Sequence, residues 1–324
     1  EFVIMAAPGY WQRLGFWMFC FFLMAFSTLI KPSHQQESVV VPTAIFHGMG
    51  DSCSNSGMNQ IAEMVANGTG AYAECIEIGN GAFTSIFQSF KKQAEAACQK
   101  LQLNPHFSDS KSFNVMGLSQ GGLISRYVAQ YCFLGDEGER KVRNIISIGG
   151  PNMGVAAVPQ CSNGLICDVI NWVVRRVVYT SQIQSLIGPA GYFRDPWHYD
   201  QYLTKSIFLP HLNQEGDEKV NQQTVHGRWK KEEETGSLAY INAMMLVMFE
   251  DDTQIYPKET AWFQQIDQSG AIMALNESAF YSSGSIGFKE LDEQGKISYV
   301  SLPGNHLRFT LDDLLKKFIP FLKQ

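Results

Sequence analysis

The chain has 324 residues, 45% hydrophobic and 17% charged, enough to bury a large core as one domain of about 250 to 300 residues, which excludes disordered, collagen-like and coiled-coil readings. Lys and Arg number 25 against 31 Asp and Glu, a formal net charge of -6 with no sustained basic stretch. That balance argues against nucleic-acid binding, which needs a basic surface to neutralise phosphates. At the N-terminus, Arg13 precedes an apolar run from Leu14 to Phe26 that ends in Ala25-Phe-Ser27 and gives way to polar residues from Lys31 to Glu37. The pattern predicts a secretory signal peptide over residues 1–30, a polar linker over 31–38 and a single folded domain over 39–324. Residues 1–4 precede Met5, the candidate initiator, and read as an upstream remnant. Carried on to Ile30 the run has 17 residues, the lower limit for crossing a bilayer, so if retained it would act as a membrane anchor.

Past this segment the chain alternates strand and helix signals without internal repeats. Val39 to His47 is β-branched with Pro42 inside it and ends in Gly48-Met49-Gly50; Phe113 to Gly117 and Asn144 to Ile148 read as short buried strands. Between the last two, Gly122 to Cys132 carries helical spacing of apolar residues. Strand, Gly-containing turn, helix and strand together predict a βαβ unit of a mostly parallel, doubly wound sheet. From Cys161 to Gln214 the alternation is lost and aromatics accumulate (Trp172, Tyr179, Tyr192, Phe193, Trp197, Tyr199, Tyr202), which predicts an irregular insertion above the sheet. Gly216 to Gly236 is polar, and its charge run Lys230–Glu234 reads as a solvated face. Ala243 to Phe249 returns to a buried strand, and Leu311 to Leu322 reads as an amphipathic terminal helix.

The most informative segment is Gly117-Leu-Ser119-Gln-Gly121, between a strand and a helix. A turn this tight holds its serine in a strained conformation with the hydroxyl exposed, and the flanking glycines leave room for neighbouring backbone. A serine nucleophile needs a base, and on such a sheet the partners follow in the order Ser, acid, His. Of seven histidines, His198, His211, His226 and His306 follow Ser119, and only His306 lies beyond the Ala243–Phe249 strand, in Gly304-Asn-His306. The acid is expected just past that strand, where Glu250, Asp251 and Asp252 stand in a row; Asp252 is the choice, with one carboxylate buried against the imidazole and the others solvated. Oxyanion donors are expected from the backbone N–H of Gln120, after the nucleophile, and of Met49, in the loop that ends the first core strand.

Seven cysteines fit export. Cys20 lies in the apolar run, which leaves Cys53, Cys75, Cys98, Cys132, Cys161 and Cys167, enough for three bridges in an oxidising compartment. Fifteen connectivities are open to six cysteines. With no CxxC pair and no short Cys/His spacing, neither a metal nor another cofactor is expected. Asn67-Gly-Thr69 and Asn276-Glu-Ser278 are sequons, usable as glycan sites in a secreted protein.

Taken together, His47-Gly-Met-Gly-Asp-Ser-Cys53, Cys75-Ile-Glu-Ile-Gly79, Gly117-Leu-Ser-Gln-Gly-Gly122, Ile146-Ser-Ile-Gly-Gly150, Ser206-Ile-Phe-Leu209 with Asn213-Gln-Glu215, Asp252 to Pro257 and Gly304-Asn-His306 resemble the palmitoyl-protein thioesterases, in order from about residue 40 onward. The resemblance implies an α/β-hydrolase fold with the insertion over the active site, and a serine hydrolase that removes palmitate from S-acylated cysteines through an acyl-enzyme. It implies Ser119 as nucleophile, Asp252 as acid, His306 as base and Met49 with Gln120 as oxyanion donors. It also implies the pairs Cys98–Cys132 and Cys161–Cys167, leaving Cys53 for Cys75; animal members have adjacent cysteines where Ser54 here follows Cys53. Implied partners are S-palmitoylated proteins or peptides and fatty acyl thioesters, with membrane contact through substrate or an uncleaved N-terminal segment, and the implied compartment is a lysosome or vacuole. A lipase or carboxylesterase would use the same triad on an oxygen ester, and a non-enzymatic acyl-binding protein of this fold usually lacks a triad member. If the signal is removed, N-terminal sequencing of the secreted protein should find a start between Phe26 and Lys31, and thiol titration should find the six remaining cysteines oxidised; an intact Leu14–Ile30 segment on detergent-extracted protein would show an anchor.

Overall fold

A computed structural model describes residues 40–133, 140–158, 174–216 and 236–324, all within the compact unit Val39–Gln324. The expected signal and linker, the Cys161–Cys167 pair, His226 and the 230–234 charge run lie outside the described residues. Strands β1 (Thr43–Phe46), β2 (Ala73–Cys75), β3 (Phe113–Leu118), β4 (Val142–Ile148), β5 (Ala243–Phe249) and β8 (Ile297–Leu302) form one sheet in the order β2-β1-β3-β4-β5-β8, every pair parallel. A short antiparallel pair, β6 (Gln265–Ile266) and β7 (Ile272–Met273), stands apart. This is the α/β-hydrolase arrangement. The first strand is shorter than the run Val39–His47 suggests, because Pro42 has no N–H for the ladder; only its carbonyl takes part, accepting from Asn114 N at 2.8 Å.

Parallel strands covered on both faces lose the usual hydrophobic–polar alternation, and here each face receives every second side chain. Phe46, Val115, Ile145 and Leu246 join one core cluster with Phe90, Leu123 and Tyr127. Their sequence neighbours Ile45, Met116, Ile146 and Val247 join the other, with Phe249, Leu314 and Phe318. Helices α1 (Ser56–Thr69), α2 (Ala82–Phe87) and α3 (Phe90–Leu103) connect the early strands, and α4 (Gln120–Tyr131) links β3 to β4. α1 starts at Asn55, whose side chain accepts from Gly57 N, and ends at Gly70 in the left-handed conformation. α4 begins at Gln120, two residues ahead of the expected Gly122, and is buried along nearly its whole length. The terminal helix runs as expected from Leu311 but widens to a π turn over Leu314–Phe318 before Ile319–Leu322. Pro320 supplies no N–H at that point, so the regular i to i−4 ladder cannot continue through it.

The described part of the insertion is a set of short helices: α5 (Ser181–Leu186), a 3-10 turn Gly188–Tyr192, α6 (Tyr199–Lys205) and α7 (Leu209–Leu212). Most of its aromatics face inward, with Tyr179, Tyr192, Phe193 and Tyr202 all buried. Tyr199 and Tyr202 flank a buried ion pair, with the Arg194 guanidinium 4.7 and 5.3 Å from their ring centroids. Glu215 accepts from Arg194 Nη2 at 3.0 Å and Nε at 3.2 Å, from Tyr199 OH at 3.0 Å, Tyr202 OH at 2.6 Å and Asn213 Nδ2 at 2.9 Å. Burial works against the Arg194 charge, but Glu215 and the two tyrosines outweigh it and hold the guanidinium above its ordinary pKa. The network continues into the sheet domain: fully buried Arg126 of α4 donates to Asn213 Oδ1 at 2.7 Å and to Asn152 O at 2.9 Å. Burial lowers its pKa to about 9, so it still carries its charge at neutral pH.

A buried carboxylate with five donors is destabilising to remove because its cation is left without a counter-charge. Glu215→Gln should therefore lower stability by about 3 to 5 kcal/mol. Urea denaturation of the two proteins checks this, and a loss under about 1 kcal/mol would show that the insertion is held by its aromatic packing instead.

Candidate active site

The turn from β3 into α4 is built by exclusion of side chains. A Cβ on Gly117 would lie 2.1 Å from Gly121 O, and one on Gly121 would lie 2.3 Å from Phe46 O. Only hydrogen at both positions lets the first turn of α4 approach the end of β1. Ser119, between them, takes φ 53° and ψ −124°, a conformation that costs an L-residue roughly 1 to 3 kcal/mol and is retained where the surroundings dictate it. Its backbone N–H donates to Ile148 O at 2.8 Å, which ties the turn to the end of β4.

His306 comes to this serine from 187 residues away, on the loop after β8. Its Nε2 lies 2.9 Å from Ser119 Oγ and its Nδ1 lies 2.6 Å from Asp252 Oδ2. Asp252 Oδ1 accepts from the amides of Gln254 at 2.9 Å and Ile255 at 3.0 Å, so the carboxylate is fixed from behind. Its side chain is 3% exposed, whereas Asp251 and Glu250 beside it are exposed. A second tether joins the two loops: Asn305 Oδ1 accepts from Thr253 N at 3.0 Å and from His306 N at 2.7 Å. Gly149, at positive φ, leaves the space under the ring, since a Cβ there would meet His306 Cε1 at 3.0 Å. A hydroxyl, an imidazole and a buried carboxylate in this series allow the ring to take the hydroxyl proton and hold the resulting charge.

Gln120 is the first residue of α4, and its N–H has no acceptor one turn back within the helix. Met49 sits across from it, in a loop whose Gly48 packs against the serine: a Cβ on Gly48 would be 3.2 Å from Ser119 Cβ. Both expected oxyanion residues are thus adjacent to Ser119. A cleft of about 490 Å³ opens over the hydroxyl, lined among others by Met49, Val155, Pro189, Tyr192, Ile255 and Leu307. From the described part of the insertion it takes Pro189 and Tyr192, while the other buried aromatics named above pack away from it. Tyr192 OH donates to Gln120 Oε1 at 3.1 Å, which fixes the side chain next to the nucleophile. The sequence motifs single out neither this contact nor Asn305, although Asn305 lies inside a segment already marked by His306.

The remaining expected positions separate. Cys53 bonds Cys75 and Cys98 bonds Cys132. Asn67 is exposed near the end of α1 and Asn276 is exposed in the 3-10 turn Leu275–Glu277. His198 pairs with Asp195 at 2.8 Å and His211 stacks on Tyr131, both away from Ser119. Among the described residues, His47, Cys53 and Glu77 bring three potential metal donors within 4.8 Å, but the Cys53 sulfur is committed to its disulfide.

The sequence profile of the family described as "Palmitoyl protein thioesterase" matches residues 42–306. Palmitoyl-protein thioesterase 3 of Dictyostelium discoideum is 30% identical over 296 residues, covering 88% of this chain and 93% of its own length. Palmitoyl-protein thioesterase 1 of Caenorhabditis elegans is 27% identical over 291 residues, covering 86% and 91%. The lysosomal thioesterase PPT2 of Mus musculus is 23% identical, covering 92% of each chain. Among solved structures, the esterase Pf2001 of Pyrococcus furiosus superposes with a TM-score of 0.45 at 11% identity, over 88% of this chain and 80% of that one. With the profile running from the start of β1 through His306, the chain belongs to the palmitoyl protein thioesterase family.

Proposed function

We propose that this enzyme hydrolyses long-chain acyl thioesters on S-palmitoylated proteins or peptides, with Ser119 as nucleophile, His306 as base and Asp252 as the acid that orients it. The observation that carries the assignment is the hydrogen-bonded series Ser119–His306–Asp252 at the floor of the cleft, in a chain of this family. His306 Nε2 takes the Ser119 proton as Oγ attacks the thioester carbonyl. The tetrahedral oxyanion is held by the N–H groups of Met49 and Gln120, which act where charge develops and need no reorganisation. Collapse expels the cysteine thiolate, a weakly basic leaving group, which takes the proton from the imidazolium and leaves His306 neutral. Water, deprotonated by His306, then attacks the acyl-enzyme, and the imidazolium returns the proton to Ser119 Oγ as the fatty acid leaves.

The acyl chain is assigned to the cleft between the Met49 loop and the insertion. Burying about fourteen methylenes at ~0.8 kcal/mol each offers ~11 kcal/mol before the costs of association. The same chain chemistry accounts for the apolar lining residues Val155, Pro189, Ile255 and Leu307. The N-terminal apolar run and the cysteine content support a secretory route, ending in a lysosome as the name of the PPT2 relative suggests, or in a vacuole as its counterpart.

Purified protein given palmitoyl thioester and palmitoyl oxygen ester of equal chain length should turn over the thioester faster; the reverse preference would make it a lipase or carboxylesterase on the same triad. Ser119→Ala should fold and lose essentially all turnover, and wild-type turnover by the folded variant would remove Ser119 from the mechanism.

The two adjacent aspartates provide a sharper comparison. Asp252→Asn should keep the fold but misorient His306 and remove its charge partner, lowering kcat by roughly 10⁴ by analogy with other triads. Asp251→Asn removes an exposed carboxylate and should change kcat little. A larger loss at Asp251 would put the acid one residue earlier.

A further inference from the structure

The proposed oxyanion donor Met49 lies on a loop of five residues, Gly48–Ser52, with two glycines and one long backbone hydrogen bond of its own, Asp51 N to Gly48 O at 3.4 Å. Such a segment does not hold an amide within a few tenths of an ångström by itself, and an oxyanion donor is effective only when it is preorganised. One carboxylate spans the loop. Glu77, just after β2, places Oε1 3.0 Å from Nε2 of His47 at the loop's start and accepts the N–H of Cys53 at its end through Oε2, at 2.8 Å. His47 is 4% exposed, and its Nδ1 donates to the carbonyl of Gly48 at 2.9 Å. That carbonyl can only accept, so Nδ1 carries the proton of this contact and Nε2 faces the Glu77 carboxylate. The imidazole thereby fixes the peptide that joins Gly48 to Met49, the unit that carries the Met49 N–H.

The surroundings are arranged for this carboxylate. Gly81 has φ 50°, and a Cβ there would meet both Glu77 oxygens at 3.2 Å and Ser52 Cβ at 2.6 Å. Gly50 N donates to Ser85 Oγ at 2.8 Å, which closes the loop from its other side. Glu77 itself is 31% exposed, belongs to neither core cluster and does not line the cleft. It fills no core space and touches no substrate, yet it holds both ends of the loop that carries the donor.

We propose that Glu77 is a positioning residue for the oxyanion site, acting through His47 and the Cys53 amide to set the Met49 N–H. The proposal rests on the reading of Met49 and Gln120 as oxyanion donors. Its signature is a defect confined to the tetrahedral state, where the donor is used. Alanine at 77 removes both oxygens, so the His47 ring and the Cys53 N–H lose their partner together, whereas the amide of a glutamine can accept from the Cys53 N–H and donate to His47 Nε2.

The experiment compares wild type, Glu77→Ala, Glu77→Gln and Glu77→Asp in steady-state kinetics and in binding two palmityl probes: a trifluoromethyl ketone, which forms a hemiketal oxyanion on Ser119, and an unreactive thioether, which does not. Glu77→Ala should lower kcat by about 10- to 100-fold with KM within about twofold. It should weaken the ketone by a similar factor and leave thioether affinity unchanged. Glu77→Gln, which can keep both contacts, should stay nearer to wild type, and Glu77→Asp, with the charge kept but withdrawn by one methylene, should fall between and serves as the readout by the same criteria if the alanine variant does not fold. Unchanged kcat and ketone affinity, or equal weakening of both probes, would overturn the proposal. A wild-type enzyme that binds the ketone but does not turn over palmitoyl thioester would overturn the substrate assignment alone, because the ketone comparison still decides the role of Glu77. Failure of the wild type to form the hemiketal would overturn both.

Discussion

The active centre depends on a backbone contact that no side chain could share. The first turn of α4 lies against the end of β1, with Gly121 facing Phe46 O and Gly117 facing the Gly121 carbonyl. A methyl group at either position would push the helix away from the sheet, and Ser119 would then relax out of its positive-φ conformation. Helix and strand packing on either side hold the turn closed: β1, β3 and β4 are buried throughout apart from Arg143, and α4 is buried over nearly its whole length. Energy stored in one residue is maintained by the packing of dozens.

That contact also explains why partners so distant in sequence meet. In a parallel sheet all strands end at the same edge, and the loops that leave β1, β3, β4, β5 and β8 deliver Met49, Ser119, Gly149, Asp252 and His306 to one place. The register between β5 and β8 runs from Met244–Ile297 to Phe249–Leu302, which sets the Asp252 and His306 loops side by side. Asn305 then removes the remaining freedom by holding Thr253 N and His306 N with one oxygen.

What could be read in advance follows from which physical signals are local. The buried strand Ala243–Phe249 and the start of the terminal helix at Leu311 were legible because sustained apolar runs and periodicity mark them, and Ser119 because steric exclusion requires glycines at fixed offsets. His306 was legible by order along the chain. Asp252 was separated from Asp251 by resemblance, since burial decides between them and neighbours far in sequence determine burial. The short strand Ala73–Cys75 is half-buried and three residues long, and β8 is a polar-faced edge strand, so neither carries a strong hydrophobic signature. The contacts of Glu215 and Glu77 were invisible for a similar reason: a buried or half-buried carboxylate is defined by donors that the fold brings to it, and no spacing announces them. The aromatics between Cys161 and Gln214 marked an irregular insertion over the active site, yet of those described Tyr192 alone lines the cleft, while Tyr199 and Tyr202 flank the Arg194–Glu215 pair.

That pair gives the insertion a character different from a lid. Five hydrogen bonds to one carboxylate, continued through Asn213 into Arg126 of the sheet domain, fasten the described part of the insertion to the core at a point where opening would strand two guanidinium groups without their partners. Pro189 and Tyr192 therefore meet an incoming chain as fixed walls, and Tyr192 is itself bonded to Gln120. A rigid mould measures its contents differently from a closing jaw. Discrimination among fatty chains would then be graded by how many methylenes find a wall, each extra carbon adding a similar increment until the cleft ends, with no threshold length at which a closing movement is triggered.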